Sequence, residues 1–220
     1  WKPLLIGKFG KFATSISAVW IWNKLKLRGS SRDTDGKEKL IYIKGGFKTL
    51  FDKILSIIIS NNGKILLKHK VTKIIQINKK WEVSANSKKM TFDLVLVTTH
   101  LPQYIDIIEN FADKKYINSL TKISYLGNIC LVLSLKKSLS KTYWLNINDP
   151  DFPFVGIIEH TNLEKKSTYG THVVYLSKYI DISEKLFKLN NEEFLNYSIP
   201  YIKKIFPEFK EDWIADSFLW

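Results

Sequence analysis

The chain has 220 residues, 45% of them apolar and 14% aromatic, enough to bury a core and too aromatic for a disordered polypeptide. Its net charge of +13 is almost wholly lysine, since the arginines are only Arg28 and Arg32. Bidentate contacts to phosphates and bases favour arginine, so the charge reads as a solvated lysine surface, which argues against nucleic acid as a partner.

In chain order, Phe9, Phe12, Ile16, Val19, Trp20 and Asn23 recur at near-helical spacing, which predicts helix over residues 1 to about 27. A polar loop is expected from Arg28 to Glu38, holding Gly29, Ser30, Ser31 and Gly36. A glycine pair, Gly45-Gly46, then opens an amphipathic helix from Phe47 to Ser60, with Phe47, Leu50, Phe51, Ile54, Leu55 and Ile58 on one face. Gly63 falls where a chain leaving a helix often needs positive φ.

Strands follow. Lys64–Leu67 and Val71–Ile77 alternate, and Asn78-Lys79-Lys80 is a turn into a strand from Trp81 to Ala85. Leu94 to Val97 is apolar on both faces, as a central parallel strand should be, and it ends in Thr98-Thr99. Pro102 stops it, and a short helix is expected from Tyr104 to Phe111. Beyond Lys122 an antiparallel meander is predicted from Asn128–Leu135, Tyr143–Ile147, Phe154–Glu159 and His172–Ser177. Turn signals separate these strands at Asn148-Asp149-Pro150 and Thr168-Tyr169-Gly170. Asn191-Glu192-Glu193 opens a final helix, which Pro200 should kink or split and Pro207 should end.

The motifs exclude more than they assign. Gly7-Lys8-Phe9-Gly10 lacks the G-x-G-x-x-G spacing and follows no strand, so no pyrophosphate cradle is present in this sequence. None of His69, His100, His160 and His172 sits in a metal-binding pattern, and no G-x-S-x-G elbow exists, so no metal site is expected. Glu159-His160-Thr161-Asn162 gathers four polar side chains at a strand end; these either line a cavity or cap a turn. Cys130, in an apolar run, reads as a buried thiol, and its solitary state suggests a reducing, cytoplasmic setting. No apolar run approaches the ~18 residues of a membrane span, and peripheral membrane contact is left open. With Trp1 first and Met90 the only methionine, the sequence reads as an internal piece of a longer protein.

The order from Tyr42 to Thr99 resembles the amine-oxidase-like superfamily of FAD-dependent oxidoreductases, which includes protoporphyrinogen oxidases and phytoene desaturases. The order is a glycine pair opening a helix, Asn62-Gly63, the Val71-Thr72-Lys73-Ile74 strand, a hairpin through Trp81, and the Phe92-to-Thr99 strand. Trp1–Gly10, Tyr42–Phe47, Tyr143–Ile147 and Pro153–Asn162 are similar to the bacterial protoporphyrinogen-oxidase-like branch. The resemblance implies an α/β chain (α+β overall): a middle segment of an FAD-binding domain, residues 42–104, plus a substrate domain of antiparallel sheet and helices. Residues 1–41 and 105–220 would form that substrate domain. It implies FAD as cofactor, with Val71, Thr98, Thr99, Gly45 and Gly46 on its side of the protein, and a small-molecule substrate lined by Glu159, His160, Asn162 and Arg28. The glycine-bearing N-terminal segment and the C-terminal segment that closes over the flavin are missing from the pattern, so this piece alone should not hold FAD tightly. Two other readings stay open: a flavin-dependent nucleotide-sugar mutase, for which two arginines are few, and a non-catalytic basic binding module. The oligomeric state is not legible.

Overall fold

The computed structural model describes residues 2–30, 35–36, 41–108 and 111–220. Beyond Ser30, all of the expected loop to Glu38 except Asp35 and Gly36 lies outside the described residues. In chain order the elements are α1 (Lys2–Phe9), α2 (Ala18–Ser30), α3 (Phe47–Ser60), β1 (Val71–Ile77), β2 (Lys80–Ala85), β3 (Lys88–Phe92), α4 (Leu101–Ile108) and α5 (Lys114–Leu120). There follow β4 (Gly127–Leu135), β5 (Trp144–Asn146), β6 (Gly156–Glu159), α6 (Lys166–Tyr169), β7 (His172–Ile180), α7 (Asn191–Ile205) and β8 (Ile214–Leu219). The class is mixed α/β, helices plus antiparallel sheets, as expected. Among the described residues no helix is long and apolar enough to cross a membrane. The chain divides into two compact units, one of Trp1–Phe51 with Leu126–Trp220, the other of Asp52–Tyr125.

The first unit is built on a five-stranded antiparallel sheet of order β5-β6-β7-β4-β8. Strict alternation in β4 puts Ile129, Leu131, Leu133 and Leu135 on one face, where Val174 and Leu176 of β7 join them. Phe194 and Ile202 of α7, with Phe154 and Phe209, close this core, and all but Phe209 of these four are fully buried. Asn190 caps α7: its side chain accepts from the Glu193 N–H at 3.0 Å, and the Glu193 carboxylate accepts from the Asn190 N–H at 2.9 Å. Of the two outcomes expected at Pro200, splitting does not occur: the helix runs through it, with Phe194, Ser198, Ile199 and Ile202 burying one face on both sides of the proline. The other sheet face carries the cross-strand row Trp144, Ile158, Tyr175, Val132 and Phe218. The N-terminal helical stretch is broken at residues 13–17, and α1 returns on α2 through an edge-to-face pair, Phe9 with Trp20, at 4.9 Å.

The second unit is a three-stranded meander, β1-β2-β3, backed by α4 and α5. Both hairpins have two-residue turns in which every central residue has positive φ: Asn78 and Lys79, then Asn86 and Ser87. That backbone matches strand twist, and it is the reason so short a turn closes. Ile74, Val83, Ile107 and Ile108 form its core, with Val95 and Val97 packed against them. Three expectations fail here. Leu94–Val97 pairs with no strand among the described residues, and Leu94 and Leu96 are 87% and 88% exposed. Lys64–Leu67 forms no strand either. The helix expected at Tyr104 begins at Leu101, with Pro102 in the first turn where its missing N–H costs nothing. At the end of α3 it is Asn62 that takes the positive φ of 59°; Gly63 is needed for space, since a Cβ there would lie 2.6 Å from the Ile58 side chain.

Candidate functional site

In the first unit the glycine pair makes a turn that only glycine favours, with φ of +83° at Gly45 and +84° at Gly46. The Gly46 N–H donates to the Ile43 carbonyl at 2.8 Å, and the Gly46 carbonyl accepts from the Thr49 N–H, leading directly into α3. Gly46 is buried; a Cβ on it would stand 3.6 Å from the Tyr169 hydroxyl and 3.7 Å from that of Tyr42. The Tyr169 hydroxyl shares a hydrogen bond of 2.9 Å with His160 Nε2. The His160 ring meets Tyr42, Tyr169 and Tyr175 edge-on, at 4.9, 5.3 and 5.9 Å between centroids.

Burial pushes the Tyr169 phenol up to about 12, with the neighbouring Tyr42 adding to the effect, and pushes the His160 imidazole down, with Glu164 opposing. Both groups are therefore neutral at pH 7 and form a hydrogen-bonded pair beside the turn.

Replacing Gly46 with alanine is expected to cost about 1–2 kcal/mol. The cost would come from backbone strain, because the added methyl makes only ordinary contacts. A thermal melt of the variant checks it; an unchanged midpoint would show that the turn relaxes.

Glu159 sits at the end of β6, 1% exposed. Its carboxylate accepts from Ser138 Oγ at 2.5 Å, the Leu139 N–H at 3.2 Å and the Ser140 N–H at 2.9 Å. Asn162 reaches the same loop, donating to the carbonyls of Ser140 and Thr142 at 2.9 and 3.0 Å. Glu159 and Asn162 thus tie down the loop between β4 and β5, while His160 points into the tyrosine cluster. Arg28 lies in the last turn of α2 with its side chain exposed. Of the four residues expected to line a substrate, Glu159 and Asn162 meet at the loop between β4 and β5, His160 meets the tyrosines, and Arg28 lies on α2.

His172, whose Nδ1 is 3.9 Å from the Glu159 carboxylate, is also held below its ordinary value, by burial first and then by Lys166. With both imidazoles lowered, the unfolded chain binds protons that the folded chain refuses. Stability should therefore fall as the pH drops below the ordinary histidine value near 6.5. Melting midpoints between pH 8 and pH 5 test this, and the slope should shrink in a His160→Asn, His172→Asn double variant.

In the second unit Val71 and Thr99 come together in one cavity of about 590 Å³, with His69, Lys70, Thr72, Gln103, Asp106 and Ile107. Thr98 is exposed and does not line it. The cavity sits where β1 begins and where its register with β2 shifts between Val71 and Lys73. Of the residues the resemblance implies for FAD, Val71 and Thr99 belong to this cavity, and Gly45 and Gly46 belong to the first unit. An apolar side chain, a hydroxyl and a lysine around such a space fit one end of a dinucleotide, while the pyrophosphate-binding turn lies in no described residue.

Sequence reasoning missed Tyr42, Tyr169, Tyr175 and Ser138 as members of these sites. Tyr42 stands just before the glycine pair and Tyr169 just before Gly170, so each was visible only as part of a turn.

No family model matches the sequence, and no curated protein matches it. Among solved structures the chain is similar to an oxidoreductase from Methanosarcina mazei, with a TM-score of 0.63 and 20% identity, covering 80% of this chain and 42% of that one. It is similar along 100% of its length to 49% of a protein from Exiguobacterium sp. 255-15 assigned as a protoporphyrinogen oxidase, with a TM-score of 0.68 and 14% identity. It also matches a reduced UDP-galactopyranose mutase, with a TM-score of 0.61 and 14% identity over 80% of this chain and 38% of that one. The chain spans half or less of the length of these structures, and at such identities the likeness establishes the fold.

Proposed function

We infer that this chain is part of an FAD-dependent oxidoreductase that removes a hydride from a C–H or N–H bond of a small organic substrate. The observation that carries the reading is the cavity that joins Val71 to Thr99, two positions the superfamily resemblance assigns to the cofactor from sequence alone. The fold likeness to an oxidoreductase and to an assigned protoporphyrinogen oxidase supports it.

When bound, the flavin supplies the two-electron acceptor. In this reading the backbone at Val71 receives the nucleotide end, the Thr99 hydroxyl and Lys70 provide polar contacts, and residues 42–104 belong to the cofactor domain. Residues 1–41 and 105–220 provide the substrate domain. From that domain the neutral His160–Tyr169 pair packs against Tyr42 and the Gly45-Gly46 turn of the cofactor segment, and Glu159 with Asn162 fixes the loop beyond β4. The exposed apolar residues Leu94 and Leu96 are consistent with a strand that finds its partners in sequence flanking this chain.

A flavin-dependent mutase is the second reading, favoured by the match to UDP-galactopyranose mutase. The test is the visible spectrum of the protein purified with its natural flanking sequence. The expected result is flavin bands, with FAD released on denaturation and bleaching under an oxidisable substrate. Bands that no oxidisable substrate bleaches, while a nucleotide sugar is isomerised once the flavin has been reduced with dithionite, would select the mutase. A colourless protein that takes up no added FAD would overturn both.

A further inference from the structure

We propose that the first unit holds a second ligand site, in the cleft between α1 and the end of β7, for a monocarboxylate with a compact apolar body, anchored on Lys178. This site does not rest on the flavin reading.

The cleft has a volume of about 470 Å³, within the range of small-molecule sites. Pro3 and Ile6 of α1 form one wall, and Ile147, Pro150 and Val155 form the other. It exists because β6 pairs with β7 only as far as Ser177, so the last residues of β7 have no strand beside them on that edge. Gly7 lets α1 lie close: a Cβ there would stand 3.2 Å from the Val155 side chain.

Lys178 projects from this end of β7 and is half-buried. Its ammonium donates to the Phe152 carbonyl at 3.1 Å, and no carboxylate among the described residues lies within ion-pair distance of it. An ammonium has three donors, so two have no acceptor among the described residues, in a place where withdrawal from water already penalises the charge.

Of the acidic groups around the cleft, Asp149 is engaged elsewhere, and Glu184 acts on the Lys178 charge through space without reaching ion-pair distance. Asp149 faces Lys204 at 3.8 Å and accepts the Asp151 N–H, while Glu184 is exposed and accepts the Asp181 N–H at 3.4 Å. Lys2 lines the same cleft, and Lys8 stands over the Tyr179 ring at 4.8 Å. The lining balances Lys2 and Lys178 against Asp149 and Glu184, so the case for an anion rests on the spare donors of Lys178, and the apolar walls ask for a hydrocarbon or aromatic body behind it. A carboxylate seated on Lys178 would use its spare donors and offset its desolvation.

The experiment is calorimetric titration of the full chain with octanoate and, separately, octanol, two probes of like size that differ in charge. Octanoate is expected to bind at least tenfold tighter than octanol. The preference should disappear in Lys178→Gln and persist in Lys178→Arg. In unmutated protein, octanoate should also slow acetylation of Lys178 by acetic anhydride, read by peptide mass spectrometry, relative to surface lysines such as Lys64. Equal affinity for the two probes, no binding of either, or acetylation of Lys178 unaffected by octanoate would each overturn the proposal.

Discussion

Replacing Glu159 with alanine is expected to cost about 3 kcal/mol, because it strands a hydroxyl and two backbone N–H groups that now share one carboxylate. Ser138, Leu139 and Ser140 all donate to Glu159, and the side chain is almost wholly withdrawn from solvent. A carboxylate that accepts three hydrogen bonds holds its loop more firmly than neutral pairs would. In a chain of this size the loss should lower the melting midpoint by roughly 6–12 °C. Glutamine at the same place keeps the shape and one acceptor oxygen, so Glu159→Gln should fall between the two. Amide exchange in residues 138–142 should accelerate in both variants. If the alanine variant melts within a degree or two of the parent, the loop is held by Asn162 alone.

The second large effect is expected from Phe194→Ala, at about 3–5 kcal/mol. Phe194 is fully buried where α7 crosses the sheet, in a core that contains Leu131, Leu133, Val174 and Leu176. Truncation removes most of a ring from a close-packed layer, and the surrounding side chains come from rigid strands that cannot collapse far into the gap. Tyr197, one turn on and 45% exposed, is the control: its alanine variant should lose less than about 1 kcal/mol. Urea titration of both variants, with near-ultraviolet circular dichroism to follow ring packing, decides between a core and a surface role for this helix face.

The elements legible in the sequence are those whose signal is local, although the α3 stripe marks a helix whose apolar face is not buried among the described residues. The α3 stripe, the alternation in β4 and the Asn190-to-Glu193 start of α7 each carry their signal locally, and each was found within a residue or two. β3 carries no such signal: Lys88, Lys89, Met90, Thr91 and Phe92 become a strand because the Asn86-Ser87 turn returns them onto β2. β8 is a strand because β4 has a free edge, a fact that lies about 80 residues away in sequence. Leu94–Val97 shows the opposite failure. Its composition is that of a buried strand, but pairing belongs to two partners and only one is described.

The site was legible in the same partial way. The polar run Glu159-His160-Thr161-Asn162 was visible, yet successive side chains at a strand end diverge, and which one meets a loop and which a ring is set by tertiary packing. His160 needed Tyr42 and Tyr169, and nothing local connects them. Val71 and Thr99, by contrast, were named from the resemblance and do share a cavity.

The division of the chain also orders its assembly on the ribosome. Asp52–Tyr125 is one uninterrupted stretch, so its meander can form as soon as it emerges. The sheet of the first unit cannot: α1 waits for β7, and β4 stays open on one side until β8 arrives about 80 residues later. While this stretch is being made, the nascent chain therefore displays a formed meander and an unfinished sheet with bare edges, the form most exposed to chaperones and to misassociation.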